Sequence, residues 1–142
     1  MQQATAQPQL ALTAADLVPF TYRAPLDPFR ELQLPEFMMQ QRVRADIVVQ
    51  RNVFQPGTGA WHTHPGISFV YVLDGQIQLE EFSEKTGCTT TQVYGSGQAY
   101  FEEGFHVHRA IVLSSTPAVL LVTRFNIPPG TPITTPVPAP AC

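Results

Sequence analysis

The sequence predicts an all-β protein built as one antiparallel sandwich or barrel, and three observations carry that reading. At 142 residues with 44% apolar residues, the chain holds one core's worth of sequence. Seven short runs rich in β-branched and aromatic residues follow one another between residues 43 and 126, with Gly, Pro, Asp or Ser between them. No segment spaces its apolar residues with the 3.6-residue period of a helix.

Residues 1–42 read as an N-terminal arm. It allows at best a short helix around Thr13 to Leu17, with Thr13 as cap and Asp16 in the first turn. Residues 21–40, which include Pro25, Pro28 and Pro35, read as an extended stretch suited to lying along another surface. The body, 43–126, opens with a strand from Val43 to Phe54 that Pro56-Gly57 ends. Ile67 to Leu73 and Gln76 to Phe82 come next, and the Asp74-Gly75 pair between them predicts a tight hairpin with a type I′ turn. Thr89 to Tyr94, Gln98 to Glu102, His106 to Leu113 and Ala118 to Phe125 supply four further strands. The tail, 127–142, holds six prolines between Pro128 and Pro140 and reads as polyproline-like coil.

Composition excludes several partners. Charged residues make up 13% of the chain, against the usual share of about 25%. The net charge is −3, and one lysine and seven arginines are scattered rather than clustered, which argues against nucleic acid. No apolar run approaches the ~20 residues of a membrane span, so the chain is expected to be soluble, with no membrane partner. The start, Met1-Gln-Gln-Ala-Thr-Ala-Gln, lacks the basic and apolar stretches of a signal peptide. Its Ala/Gln/Pro composition looks like an exported protein whose signal has been replaced by Met1; the other reading is cytoplasmic. Cys88 and Cys142 lack metal-site spacing. They read either as a disulfide that staples the tail, in an oxidising compartment, or as two free thiols.

All four histidines fall in two His-x-His pairs, His62-Thr-His64 and His106-Val-His108. On a strand, residues i and i+2 project from the same face, so each pair presents two imidazoles side by side. Neutral imidazole suits one divalent transition metal (Fe, Mn, Zn, Ni or Cu) better than Ca or Mg. Ordinary hydrogen-bonded strand histidines are the plainer alternative.

The segment from Pro56 through His62-Thr-His64 to Gly75 resembles the first signature of the cupin family, a glycine-led turn, His-x-His and a strand to a closing glycine. Gly97 to His108 resembles the second, whose histidine lies eleven residues after its opening glycine. The resemblance covers roughly 43–126 and implies a double-stranded antiparallel β-barrel of the jelly-roll type, often dimeric, with a metal inside one mouth. It assigns metal ligation to His62, His64 and His108. The family's glutamate ligand, seven residues before the closing glycine, is replaced here by Ser68, a poor ligand. In the second signature Glu103, Phe105 and Val112 stand where Pro, Gly and Asn are usual, with the glycine displaced to Gly104.

Even-numbered parity places Tyr100, Glu102, His106 and His108 on one face if the strand runs unbroken past Gly104. His106 then reads as a fourth ligand, a residue orienting a ligand, or a solvent-facing residue at the mouth. Glu102 reads as a catalytic general base, a ligand or a loop charge. Trp61, Ser68, Phe69, Tyr71, Tyr100 and Phe105 are candidates to line a pocket, the alternative for the apolar ones being the barrel core. Arg51, Arg109 and Arg124 are candidates to hold a substrate carboxylate. No Ser-His-Asp set, phosphate loop or paired-carboxylate signature is present. The expected function is therefore a metal-dependent enzyme of a small organic substrate, dioxygenase-type. The alternatives are a zinc or manganese lyase, isomerase or cyclase, and a non-catalytic small-molecule or metal-binding barrel. Arm and tail, with little core of their own, are expected to pack on a second subunit in a homodimer.

Overall fold

A computed structural model describes residues 13, 18–25 and 45–142. Apart from Thr13, the helix expected around Thr13 to Leu17 lies outside those residues, as does most of the extended arm. The strands, in chain order, are β1 (Phe20–Pro25), β2 (Asp46–Phe54), β3 (Gly57–Thr58), β4 (His62–Thr63), β5 (Ser68–Asp74), β6 (Gln76–Ser83), β7 (Cys88–Gly95), β8 (Ala99–Glu102), β9 (His108–Val112), β10 (Ala118–Ile127) and β11 (Thr135–Pro136). They form a five-stranded sheet in the order β1-β2-β10-β5-β8 and a six-stranded sheet whose order is β11-β4-β9-β6-β7, with β3 also on β9. Every pairing is antiparallel. The fold is all-β, as the strand pattern implies, and has the two antiparallel sheets that the cupin resemblance implies.

The expected hairpin at Asp74-Gly75 is a correction. β5 pairs with β10 and β8, whereas β6 pairs with β9 and β7, so the chain crosses here from one sheet to the other. A type I′ turn needs positive φ at both central residues. Only Gly75 has it, at 78°, and a Cβ on Gly75 would lie 2.9 Å from the Pro117 carbonyl oxygen. Glycine here serves a close crossing between the sheets rather than a hairpin tip.

The core fills the space between the sheets with Val70, Val72, Ile77, Val112, Ala118, Leu120 and Val122. Inward faces change character along each strand: Leu120, Val122 and Arg124 on β10, Val72, Val70 and Ser68 on β5, and Val112, Ala110 and His108 on β9. The register aligns those polar ends, because Ser68 lies opposite both Arg124 and Glu102, and His62 opposite His108. One end of the barrel interior is thus apolar and the other is lined with chemistry.

β1 and the C-terminal tail both lie against the barrel. β1, within the stretch read as an arm, adds an edge strand beside β2. Arg23 holds Asp46 and donates to the carbonyls of Pro128 and Thr131, each at 2.7 Å. The tail, expected to be coil, pairs through β11 with β4, and the Val137 amide donates to the Trp61 carbonyl at 3.0 Å. Cys142 then closes a disulfide with Cys88, settling the alternative between staple and free thiols.

Candidate metal centre

His64, Glu102 and His108 form a buried group whose ligand atoms all lie within 4.8 Å of one another. His64 Nε2 stands 3.1 Å from Glu102 Oε2, and His108 Nε2 stands 3.6 Å from Glu102 Oε1. The His62 ring lies edge-on to the His108 ring at 4.5 Å and shares the same cavity.

Backbone carbonyls set the histidine tautomers. The Nδ1 of His64 faces the Gly66 carbonyl at 2.5 Å, that of His108 the His106 carbonyl at 2.8 Å, and that of His62 the Ala60 carbonyl at 2.9 Å. A carbonyl oxygen only accepts, so each Nδ1 carries the proton and each neutral ring presents its Nε2 lone pair. His108 Nε2 is buried without a hydrogen-bond partner among the described residues. A lone pair facing a carboxylate is repelled unless a cation lies between them, and buried polar atoms are rarely left unpaired. Imidazole nitrogens with one carboxylate form a donor set for a divalent transition metal, and carbonyl bonds to the far ring nitrogens are how such ligands are commonly oriented. The residues therefore fit a metal ion, which His64, His108 and Glu102 can hold with His62 beside them.

The electrostatics agree. Burial disfavours the Glu102 carboxylate, yet the His64 side chain beside it and the Arg124 guanidinium 3.6 Å away outweigh burial and hold its pKa below the ordinary carboxylate value. Burial, against the opposing pull of Glu102, brings His108 down to about 4 and keeps its ring neutral at ordinary pH. Burial, with Glu102 nearby, pushes the Tyr100 phenol well above its usual value.

Glu102 reaches this centre because of register. The position that the family resemblance would fill with glutamate is Ser68, and Glu102 stands directly opposite it across the β5–β8 ladder. Cross-strand neighbours share a face, so a carboxylate from β8 arrives where one from β5 would have been. Ser68 Oγ accepts a hydrogen bond from Arg124 Nη1 at 2.7 Å and lies 3.4 Å from His64 Nε2.

The two strands expected on either side of Gly104 are indeed separate, so the shared parity that would have put His106 beside His108 does not hold. β8 ends at Glu102, Phe105 takes a φ of 60°, and β9 begins at His108. His106 consequently points elsewhere: its Nε2 faces the Phe82 carbonyl at 2.5 Å and its Nδ1 lies 3.6 Å from Glu81. Tyr71 and Phe69 stand on the outer face of β5, and Phe105 is 74% exposed in its turn. Trp61 is buried under the Arg109 guanidinium, which lies 4.6 Å from its ring and pairs with Glu80. Arg51 lies over the Phe20 ring. Of the candidate arginines and pocket residues, Arg124 and Tyr100 line the inner cavity, together with Asn52, Phe54, Val70 and Leu120.

The sequence reading passed over two groups at this centre. A mouth of about 440 Å³ opens beside His62 and Arg124, lined by Gln50, Asn52 and Phe54 of β2 and by Pro132, Ile133 and Thr134 of the tail. The amides of β2 left a readable signal, two polar residues on one parity of an apolar run. The tail residues left none.

The cupin-domain family pattern matches residues 51–124. No curated protein sequence matches the chain. Among solved structures, an oxalate oxidase bound to the substrate analogue glycolate superposes with a TM-score of 0.51 at 24% identity, over 57% of this chain and 42% of that one. An oxalate decarboxylase from Bacillus subtilis with Mn(II) centres gives 0.56 at 17%, over 82% and 27%, and a DMSP lyase 0.52 at 18%, over 66% and 44%. The chain spans less than half the length of each of these structures, and at such identities they share its fold. The family pattern covers just over half of the chain, and with the two-sheet fold and the inward-facing histidines and glutamate it shows that the chain belongs to the cupin family.

Proposed function

We propose that this protein is a metal-dependent enzyme of a small organic substrate, with His64, His108 and Glu102 as ligands and His62 as the fourth. The observation that carries the reading is the buried, partnerless Nε2 of His108 facing the Glu102 carboxylate. The dioxygenase-type reading rests on the donor set: nitrogen-rich with one carboxylate, it suits a redox-active ion such as iron or manganese with positions left open. Such an ion, when bound, supplies a Lewis-acid or redox centre for substrate and O₂.

The chain's own residues do the rest. Backbone carbonyls hold the ring tautomers, Arg124 and Ser68 steady the Glu102 end of the site, and apolar walls from Val70, Leu120 and Val122 exclude water. Tyr100 favours a second reading, a Lewis-acid lyase or isomerase: its phenol stays protonated and lines the cavity, where it can donate a proton.

Elemental analysis of the untagged protein beside a His64→Ala/His108→Ala variant tests the site. About one metal ion per chain, lost in the variant, is the expected result, and no metal after reconstitution with each ion removes the enzyme reading. O₂ consumption by the iron-loaded form separates the two chemistries, since a Lewis-acid enzyme turns over anaerobically. The disulfide supports an oxidising compartment. No helix among the described residues is long and apolar enough to cross a membrane. A homodimer is also part of this reading, supported by Tyr71 and Phe101, exposed by 41% and 55% on the outer face of neighbouring strands. A monomeric mass by sedimentation at micromolar concentration would count against it.

A further inference from the structure

The charge inventory of the cavity bears on what it binds. Its lining carries one acidic residue, Glu102, and one fixed cation, Arg124, which offset each other. A divalent ion held by neutral imidazoles and Glu102 leaves roughly two positive charges uncompensated in a buried space, an arrangement that burial disfavours unless an anion joins it. The mouth outside contains no acidic residue among those that line it, and Gln50 and Asn52 place amides there.

Arg124 is built to receive that anion. It is 6% exposed, yet it lines both the inner cavity and the mouth. Its Nε donates to Gln50 Oε1 at 3.0 Å and its Nη1 to Ser68 Oγ at 2.7 Å, while Nη1 lies 3.6 Å from Glu102. Those contacts fix the plane of the guanidinium and leave Nη2 with no hydrogen-bond partner among the described residues. The inner cavity measures about 20 Å³, room for a single water-sized group, whereas the mouth measures about 440 Å³. Only the reacting end of a ligand fits inside, and the remainder must lie across Arg124.

We propose that the substrate is a small organic acid whose carboxylate is bound in the mouth by Arg124 and Asn52, with its neighbouring polar group directed at His64, Glu102 and His108. This rests on the metal reading above and names the substrate class of the same site. Arg124 is then a specificity-determining residue, and the competing role, a strut that only steadies Glu102, makes a different prediction.

The test is calorimetric titration of manganese-loaded protein with glycolate, a minimal carboxylate beside a second oxygen, against its neutral counterpart glycolamide. Glycolate is expected to bind at least about tenfold more tightly than glycolamide, the worth of a charge-assisted contact. Arg124→Lys keeps a cation beside Glu102 but loses the planar fork, so manganese content is expected to stay and glycolate affinity to fall about tenfold. Asn52→Ala, away from Glu102, is expected to weaken glycolate about fivefold at unchanged metal content and serves if the lysine variant fails to fold. Normal manganese content with glycolate and glycolamide bound alike, or neither bound, overturns this proposal and leaves the metal reading standing. Failure of the wild-type protein to take up manganese overturns both.

Discussion

At His108 a ring nitrogen and a carboxylate oxygen face each other across 3.6 Å inside the barrel, and the opposite ring nitrogen already gives its proton to a carbonyl. Glu102→Gln would keep the shape and remove the charge. Metal affinity is then expected to fall by about tenfold or more, measured by competition with a fluorescent chelator, because a neutral amide oxygen is the poorer ligand. A second prediction follows from His108, whose pKa falls to about 4 on folding, chiefly through burial. Between that value and the ordinary histidine pKa of about 6.5, the unfolded chain binds a proton that the folded protein refuses. Stability of the metal-free protein therefore rises with pH across this window and is lost on acidification, by roughly 3 kcal/mol for this one group. Glu102, held below 4.5, acts in the same direction at lower pH. Thermal melts of metal-free protein from pH 7 to pH 4 would check this; a flat profile would contradict it. The pairs His62-Thr-His64 and His106-Val-His108 marked the chemistry from sequence, yet only three of those rings gather. Strand parity predicts the fourth only while the strand lasts, and it stops at Glu102.

The segment between β4 and β5 shows how an element's path serves the centre. His64 is anchored by the Gly66 carbonyl, and Gly66 lies so close to β10 that a Cβ there would stand 1.5 Å from the Phe125 carbonyl oxygen. No rotamer relieves a clash between backbone and Cβ, so Gly66→Ala must move one of the two segments. A loss of about 3 kcal/mol or more is expected, with weakened metal binding as the His64 anchor shifts, read from the denaturant midpoint and metal content together. Most strands were legible in the sequence within a residue or two, because period-two alternation and β-branched runs are local signals. The partner of each strand was not. Asp74-Gly75 carries the composition of a hairpin, but the next strand, Gln76–Ser83, finds its neighbours in the other sheet, where Ile77 and Leu79 are buried. Core burial outweighed the local turn preference.

Across the whole molecule, the tail ties the barrel together and walls its mouth. Pro132, Ile133 and Thr134 stand beside His62 and Arg124, Pro136 lies opposite His62 on β4, and the disulfide between Cys88 and Cys142 closes a separation of 54 residues. A loop of this size restricts the unfolded chain enough to contribute about 4 kcal/mol in the chain-entropy account. Cys88→Ser/Cys142→Ser is expected to lower stability by about 2–4 kcal/mol in denaturant titrations. Faster hydrogen exchange at the Val137 amide is expected with it, because the two-residue β11 ladder then holds the tail with little help. Unchanged exchange there would mean that Arg23 and β11 suffice.

Sequence by itself determined the all-β architecture and the location of a histidine cluster suited to a metal ion, since alternation, turn residues and the His-x-His spacing act within a few residues of one another. It left open whether Cys88 and Cys142 join and what stands in for the carboxylate missing at Ser68. Tertiary structure decided that Glu102 places a carboxylate beside His64 and His108, that His106 turns to Phe82 and Glu81, and that Arg124 and the tail line the entrance. The physical reason is range: which strand lies beside which, and in what register, depends on the burial of residues far apart in the chain, and a shift of one residue would send every one of these side chains to the opposite face.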